Sequence, residues 1–329
     1  MTGQVGSLAR ERNSRRNAIS AQVLTSVFVE TCRLGCSSRW KIRDHSLKAK
    51  QHGAEREGLR FRPIFGFTNG RSLRYIWSMK ELVIKSYGNL SFHRTISELI
   101  RMYSENQEDI REVAKSMVDW TEVRKIADLG CGYGWFEEAL GNGFDFMLGI
   151  DCIRSNEAGF LSVAQRVAKT ARFANLQLPC PIDTDSDYFD LVIAAYSMYF
   201  FPDILPEAKR ILRPGGVFLI ITHSAGMLEE GEEFFDFSNL REVINNFSAE
   251  NGERTLRQYF TDISAVDYRN SLVFNRNDAD ALAKYIDFKR EFISKDVSPV
   301  VVKVKLLSEL ETRGVMRFNK NDRVFVVRK

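Results

Sequence analysis

From about residue 85 onward the chain carries two alternating apolar rhythms. After Ser91, the residues Ile96, Leu99, Ile100 and Tyr103 recur at three- and four-residue spacing, which predicts a helix, and a second is expected over 106–118. Short apolar runs at 124–129, 145–150, 171–174, 189–195 and 216–222 predict strands. Between them, 135–141, 156–169 and 203–212 predict helices. The last of these places Ile204, Leu205, Ala208, Ile211 and Leu212 on one face and stops at Pro214-Gly215-Gly216. Such alternation implies a parallel sheet with helices on both faces. Its ligand site belongs at the carboxyl ends of the strands, near the switch point.

Beyond residue 223 the rhythm changes. Residues 227–260 are rich in Glu and Phe and predict lid helices. A strand is expected at 263–274, helices at 277–294 and 299–312, and a final strand at 323–328. Residues 1–78 show neither period, with Arg, Ser, Gly and Asn scattered around one apolar patch at Val23–Val29. They are expected to be a disordered or extraneous basic extension. The folded domain then spans 79–329, with cap helices at 85–120, a core at 124–223, and a lid with the last strands and helices at 224–329.

Charge sharpens this division. Residues 1–78 hold 15 Lys/Arg against 5 Asp/Glu, whereas the rest holds 32 against 38. The body is therefore mildly acidic, which disfavours tracking a phosphate backbone, so no nucleic-acid partner is expected. No apolar run approaches the ~18 residues that span a bilayer, and no secretory signal opens the chain. Five cysteines, with Cys131, Cys152 and Cys180 near the proposed ligand loops, fit reduced thiols in a cytoplasmic protein. Cys32, Cys36, His45 and His52 are spaced C-x3-C-x8-H-x6-H. A zinc finger needs about twelve residues between its pairs and three to five between its histidines, so no metal is expected.

The chemistry concentrates at Ile126-Ala-Asp-Leu-Gly-Cys-Gly-Tyr-Gly134, a strand that runs into three alternating glycines. Gly130, Gly132 and Gly134 permit positive φ and let a ligand lie against bare backbone, with free N–H groups for its polar atoms. A dinucleotide turn needs G-x-G-x-x-G, but its third glycine would fall on Trp135 or Glu137. Asp128 would also repel a pyrophosphate, whereas it suits a cationic amino group. S-adenosylmethionine is such a ligand, with an ammonium, a sulfonium and no phosphate.

Asp128-Leu-Gly-Cys-Gly-Tyr-Gly134 resembles the first motif of the class I S-adenosylmethionine-dependent methyltransferases. Three further segments resemble that family in order. Residues 145–151 resemble its second strand ending in an acidic residue. Residues 188–203 resemble its fourth strand and following loop, and 207–220 its helix, Pro-Gly-Gly turn and fifth strand. The resemblance implies a Rossmann-like, mostly parallel seven-stranded sheet with an antiparallel last strand. It also implies methyl transfer from S-adenosylmethionine.

Particular residues follow. Asp128 should face the methionine amino group, and Asp151 should accept both ribose hydroxyls, since a carboxylate can take two vicinal donors. Cys152 should pack near the adenine face. The resembled family often carries Asp-Ala shortly before Leu-Pro, where this chain has Ala174 and Asn175. The Asn175 amide oxygen and the Leu176 N–H are the expected substitutes for adenine. Tyr196, Met198, Tyr199, Phe200 and Phe201 could line a pocket and offer ring faces to a sulfonium or amine. Ala195-Tyr196-Ser197-Met198 departs from the Asn/Asp-Pro-Pro-Tyr/Phe of the nucleic-acid amine methyltransferases. His223 ends the fifth strand with a side chain suited to be a general base. His223 and Tyr199 are the candidate catalytic residues. Phe234, Phe235 and Phe237 are candidates for an apolar lid. A small-molecule acceptor is expected; the rivals are an RNA or protein methyltransferase and a non-catalytic binder of S-adenosylmethionine.

Overall fold

The computed structural model describes residues 81–234, 236–293 and 296–329. Residues 81–87 are helical. Helix α1 (Leu90–Tyr103) begins where the Asn89 side chain accepts a hydrogen bond from the Phe92 N–H, and it buries Ile96 and Leu99 as the spacing predicts. Asp109 caps α2 (Ile110–Ser116) in the same manner, accepting from the Arg111 N–H.

The strands β1 (Lys125–Leu129), β2 (Phe144–Asp151), β3 (Ala168–Asn175), β4 (Phe189–Ala195) and β5 (Leu212–His223) pair in parallel. Helices α3 (Glu157–Val167) and α4 (Leu205–Ile211) make the crossovers from β2 to β3 and from β4 to β5. Then follow α5 (Ser238–Ile244), α6 (Gly252–Leu256), β6 (Asp262–Tyr268), β7 (Ser271–Asn275), α7 (Ala279–Lys289), α8 (Pro299–Arg313), β8 (Val315–Asn319) and β9 (Asp322–Arg328). The main sheet runs β3-β2-β1-β4-β5-β9-β6, with β9 antiparallel to both neighbours. This is the seven-stranded, Rossmann-like α/β sheet with an antiparallel last strand that the sequence implied.

Alternation along the strands separates two cores. Val217, Leu219 and Ile221 of β5 join Ile126, Met147 and Phe160 on one face, whereas Phe218 and Ile220 join Leu129, Val192 and Leu205 on the other. A sheet that is apolar on both faces needs cover on both, which the helices supply. In β2, Gly149 leaves room for α3: a methyl there would lie 2.5 Å from the Phe160 ring. Among the described residues no helix is long and apolar enough to cross a membrane.

Three expected elements differ. The helix at 135–141 shrinks to one 3₁₀ turn, Glu137–Ala139, because Gly141 and Gly143, the latter at φ 113°, end it at once. The strand at 263–274 breaks at Asn270, where the chain leaves the main sheet and β7 pairs with β8 instead. Asn270 sustains that crossing: its N–H donates to Asn321 Oδ1, and its side chain bonds Ser104 and the Asn106 N–H. Pro214-Gly215-Gly216 sits inside β5 as a register shift, so that Leu212 pairs with Phe189 and the ladder resumes at Val217 with Leu191.

Candidate active site

The chain turns directly from β1 through Gly130, Gly132 and Gly134, at φ 80°, 53° and 89°. These glycines answer different needs. A methyl on Gly130 would lie 2.5 Å from Ser197 Cβ, and one on Gly134 would lie 3.2 Å from Val163 Cβ. Those two let the turn pack on the β4 loop and on α3. A methyl on Gly132 would meet no protein atom within 4 Å. Gly132 instead walls a cavity of about 680 Å³, together with Asp128 and Gly130; Gly134 does not line it. The expected free donors are largely used by the fold. The Gly130 and Cys131 N–H groups donate to the Ile150 carbonyl, and that of Gly134 donates to the Cys131 carbonyl. The Gly132 N–H donates to Asp151 Oδ2 at 2.9 Å.

Asp151 closes β2 at the cavity edge, and its Oδ1 accepts from the Ile153 N–H at 2.7 Å. Burial raises its pKa. Each carboxylate oxygen has two lone pairs, so both keep capacity for further donors. Cys152 lines the cavity.

The adenine expectations need correction. In the parallel register Asp151 lies opposite Asn175, and its carbonyl accepts the Leu176 N–H at 3.1 Å and the Asn175 amide at 2.9 Å. The Leu176 donor is thus consumed, although its side chain stays in the cavity wall. Asn175 is exposed and outside that wall.

Behind Asp128 lies a partner that sequence reasoning missed. Asp128 is 2% exposed, and Glu137, from the 3₁₀ turn, is fully buried. Asp128 Oδ1 and both Glu137 oxygens lack any other hydrogen-bond partner, so only a proton between the two carboxyls can join them. Burial, and then Glu137, push the Asp128 pKa well above the usual range, while burial raises that of Glu137 to about 7. Asp128 lines the cavity with Gly132 while Glu137 does not, and no cation among the described residues pairs with either carboxyl, so Asp128 is a fit for an ammonium group.

The far end of the cavity is built by β5 and β9. Their register sets His223 opposite Asp322, and β6 adds Tyr268 to the same row. His223 Nδ1 lies 2.7 Å from Asp322 Oδ1. Asp322 Oδ2 accepts from Tyr196 Oη at 2.7 Å and from Lys320 Nζ at 2.6 Å. Tyr196, at φ 58°, packs its ring 4.6 Å from the imidazole, and Tyr199 stacks on the imidazole at 5.6 Å. Both tyrosines line the cavity. Burial, then the Lys320 charge, lower the His223 pKa to about 4 despite Asp322, so the ring is neutral. Lys320 and His223 together hold the Asp322 carboxyl below its ordinary range against the cost of burial.

Residues 127–220 match the family model described as a methyltransferase domain. The chain carries a class I S-adenosylmethionine-dependent methyltransferase domain. It is an enzyme of that kind, and its methyl donor is S-adenosylmethionine. Among solved structures, a SAM-dependent methyltransferase from Thermotoga maritima is 14% identical, with 76% of this chain and 99% of that one covered at a TM-score of 0.44. The YcgJ protein from Bacillus subtilis is 16% identical, over 66% of this chain and 98% of that one, at 0.46. Haemonchus contortus phosphoethanolamine N-methyltransferase 2 is 14% identical, over 76% and 60%, at 0.46. No curated protein matches the chain.

Within this methyltransferase, Asp128, Gly130, Gly132, Asp151, Cys152, Leu176, Tyr196, Tyr199 and His223 gather around one cavity, and Gly134 and Asn175 do not. The phenylalanine lid is also corrected. Phe237 is buried, and Phe234 lies under Arg313; neither lines the cavity. Phe235 and the four candidate zinc residues lie outside the described residues. Besides Glu137, sequence reading missed Lys289, Lys320 and Asp322. The polar turn Asn319-Lys320-Asn321-Asp322 reads as an ordinary hairpin connection, and only the register of β9 reveals where its charges point.

Proposed function

We propose that this methyltransferase acts on a small molecule that enters the cavity and presents a protonated oxygen or nitrogen. S-adenosylmethionine supplies a methyl group made electrophilic by its sulfonium. In this reading Asp128 holds the amino group, bare Gly132 admits the amino-acid portion, and Asp151 takes the ribose hydroxyls. Cys152 and Leu176 flank the base, Tyr196 offers its ring beside the reacting end, and Gly130 and Gly134 shape the turn without touching ligand. The cavity volume lies within the about 300–1,000 Å³ typical of small-molecule sites. The acidic body supports a small acceptor over RNA. A cytosolic setting belongs to the proposal, with Cys131 a buried free thiol.

The observation that carries the reading is the His223–Asp322 contact of 2.7 Å. Nδ1–H donates to Asp322, which leaves Nε2 with the lone pair. A base with pKa about 4 is neutral at physiological pH. It suffices because the departing proton grows strongly acidic as the new bond to carbon forms, and Asp322 steadies the imidazolium. Tyr199, stacked on the ring, orients it. Positioning and desolvation in the cavity can supply ~7–11 kcal/mol of rate enhancement.

A panel of small hydroxyl and amine acceptors tests this. His223→Asn should lower kcat by about 100-fold with S-adenosylhomocysteine affinity unchanged. Asp151→Ala should weaken that affinity by ~1.5–3 kcal/mol in calorimetry. Equal kcat in His223→Asn would remove the proton-accepting role. Tight S-adenosylhomocysteine binding without turnover of any acceptor would make the chain a binding protein.

A further inference from the structure

Lys289 is the last residue of α7, only 6% exposed, and it forms part of the cavity wall beside Lys320, Asp322 and Phe288. No hydrogen bond or ion pair ties its ammonium to the described residues; it meets only the rings of Phe288, Phe292 and Tyr285, at 5.3, 5.7 and 5.8 Å. Ring faces at that range return ~0.5–2 kcal/mol, whereas burying an ammonium costs several. The nearby carboxylate does not make up the difference. Asp322 already takes Lys320 and Tyr196 on Oδ2 and His223 on Oδ1.

Two more buried polar atoms of this corner lack a hydrogen-bond partner among the described residues. Tyr285 Oη of α7 is buried without a partner, and so is His93 Nδ1 of α1, whose ring stacks on Phe288 at 6.0 Å. With both lysines protonated, two cations face one anion. The opposite end of the same cavity holds Asp128 and Asp151. The wall under α7 is therefore net basic, whereas near the glycine turn the carboxylates Asp128 and Asp151 share the lining with Arg94 and Arg111.

We propose that Lys289 binds an anionic oxygen group of the acceptor, a carboxylate or a phosphate, and holds it against the aromatic collar of α7. This rests on the small-acceptor reading above and adds the chemical class of that acceptor. Burial, then Lys320, lower the Lys289 pKa to about 7, so the site takes up a proton as it takes up its anion.

Calorimetry on the S-adenosylhomocysteine-saturated protein decides it, with benzoate, phenyl phosphate and benzyl alcohol as probes. At least one anion should bind tenfold or more tightly than the alcohol, and the comparison of benzoate with phenyl phosphate tells which group the site prefers. Lys289→Met should lose that anion by tenfold or more while S-adenosylhomocysteine affinity stays within twofold. In the unmodified protein, ¹⁵N NMR of the Lys289 ammonium should show its pKa rising by a unit or more on addition of the anion. Anion and alcohol binding equally, no anion binding at all, retention in Lys289→Met, or a static Lys289 resonance would each overturn the proposal. Those results leave intact a His223-dependent methylation of neutral acceptors, and anion binding without any turnover would sink only the functional reading.

Discussion

Asp128 and Glu137 set a pH dependence whose sign follows from their environment. Burial raises Glu137 from an ordinary 4.5 to about 7, so the folded protein holds that proton more tightly than the unfolded chain. The stabilisation is complete below the ordinary value and is lost as pH rises through about 7. Without cofactor, Tm should fall between pH 5 and pH 8. Glu137→Gln should flatten the curve and gain about 2–3 kcal/mol over the unsubstituted protein at pH 8. Parallel curves in thermal denaturation would remove the pair as the cause. The two members were not equally legible. Asp128 stands in a recognisable turn, while Glu137 looks like any surface glutamate in the next helix. It is buried because Gly141 and Gly143 cut that helix to one turn. Lys289 escaped notice for a similar reason, since a lysine ending a helix ordinarily faces solvent.

At the level of elements, the glycine turn separates packing from binding. Gly130→Ala should cost about 2–4 kcal/mol of stability, because its methyl would sit 2.5 Å from Ser197 Cβ at a strained φ. Gly132→Ala should cost only about 1 kcal/mol, the left-handed backbone penalty, yet lower S-adenosylhomocysteine affinity tenfold or more. Thermal melts paired with calorimetry distinguish the two. If Gly132→Ala binds normally, bare backbone at that position is not what the ligand meets. Strands β1, β2, β4 and β5 were legible because a short, continuous apolar run is what a strand covered on both faces requires. The break at Asn270 was not, since apolar and polar residues alternate straight through it and only the side-chain bonds of Asn270 show why the chain changes sheets.

Across the whole molecule the charge break near residue 78 was legible from composition alone, and residues 1–78 are proposed to be dispensable. A chain starting at Met79 should keep its Tm within about 2 °C and its S-adenosylhomocysteine affinity within twofold. A large drop in either would make the basic segment an integral layer. The division of the cavity between cofactor and acceptor was less legible, because its basic wall comes from residues 289–322, far in sequence from the motifs. That distance has a consequence for how the molecule is made. Strand β9 is synthesised after the other described strands, yet it sits inside the sheet, between β5 and β6. On a ribosome, β1 to β5 can close around the glycine turn while the slot beside β5 stays open. His223 meets Asp322 only when that slot is filled, across 99 residues of chain. Newly made chains should therefore acquire cofactor recognition before they acquire any capacity to turn over an acceptor.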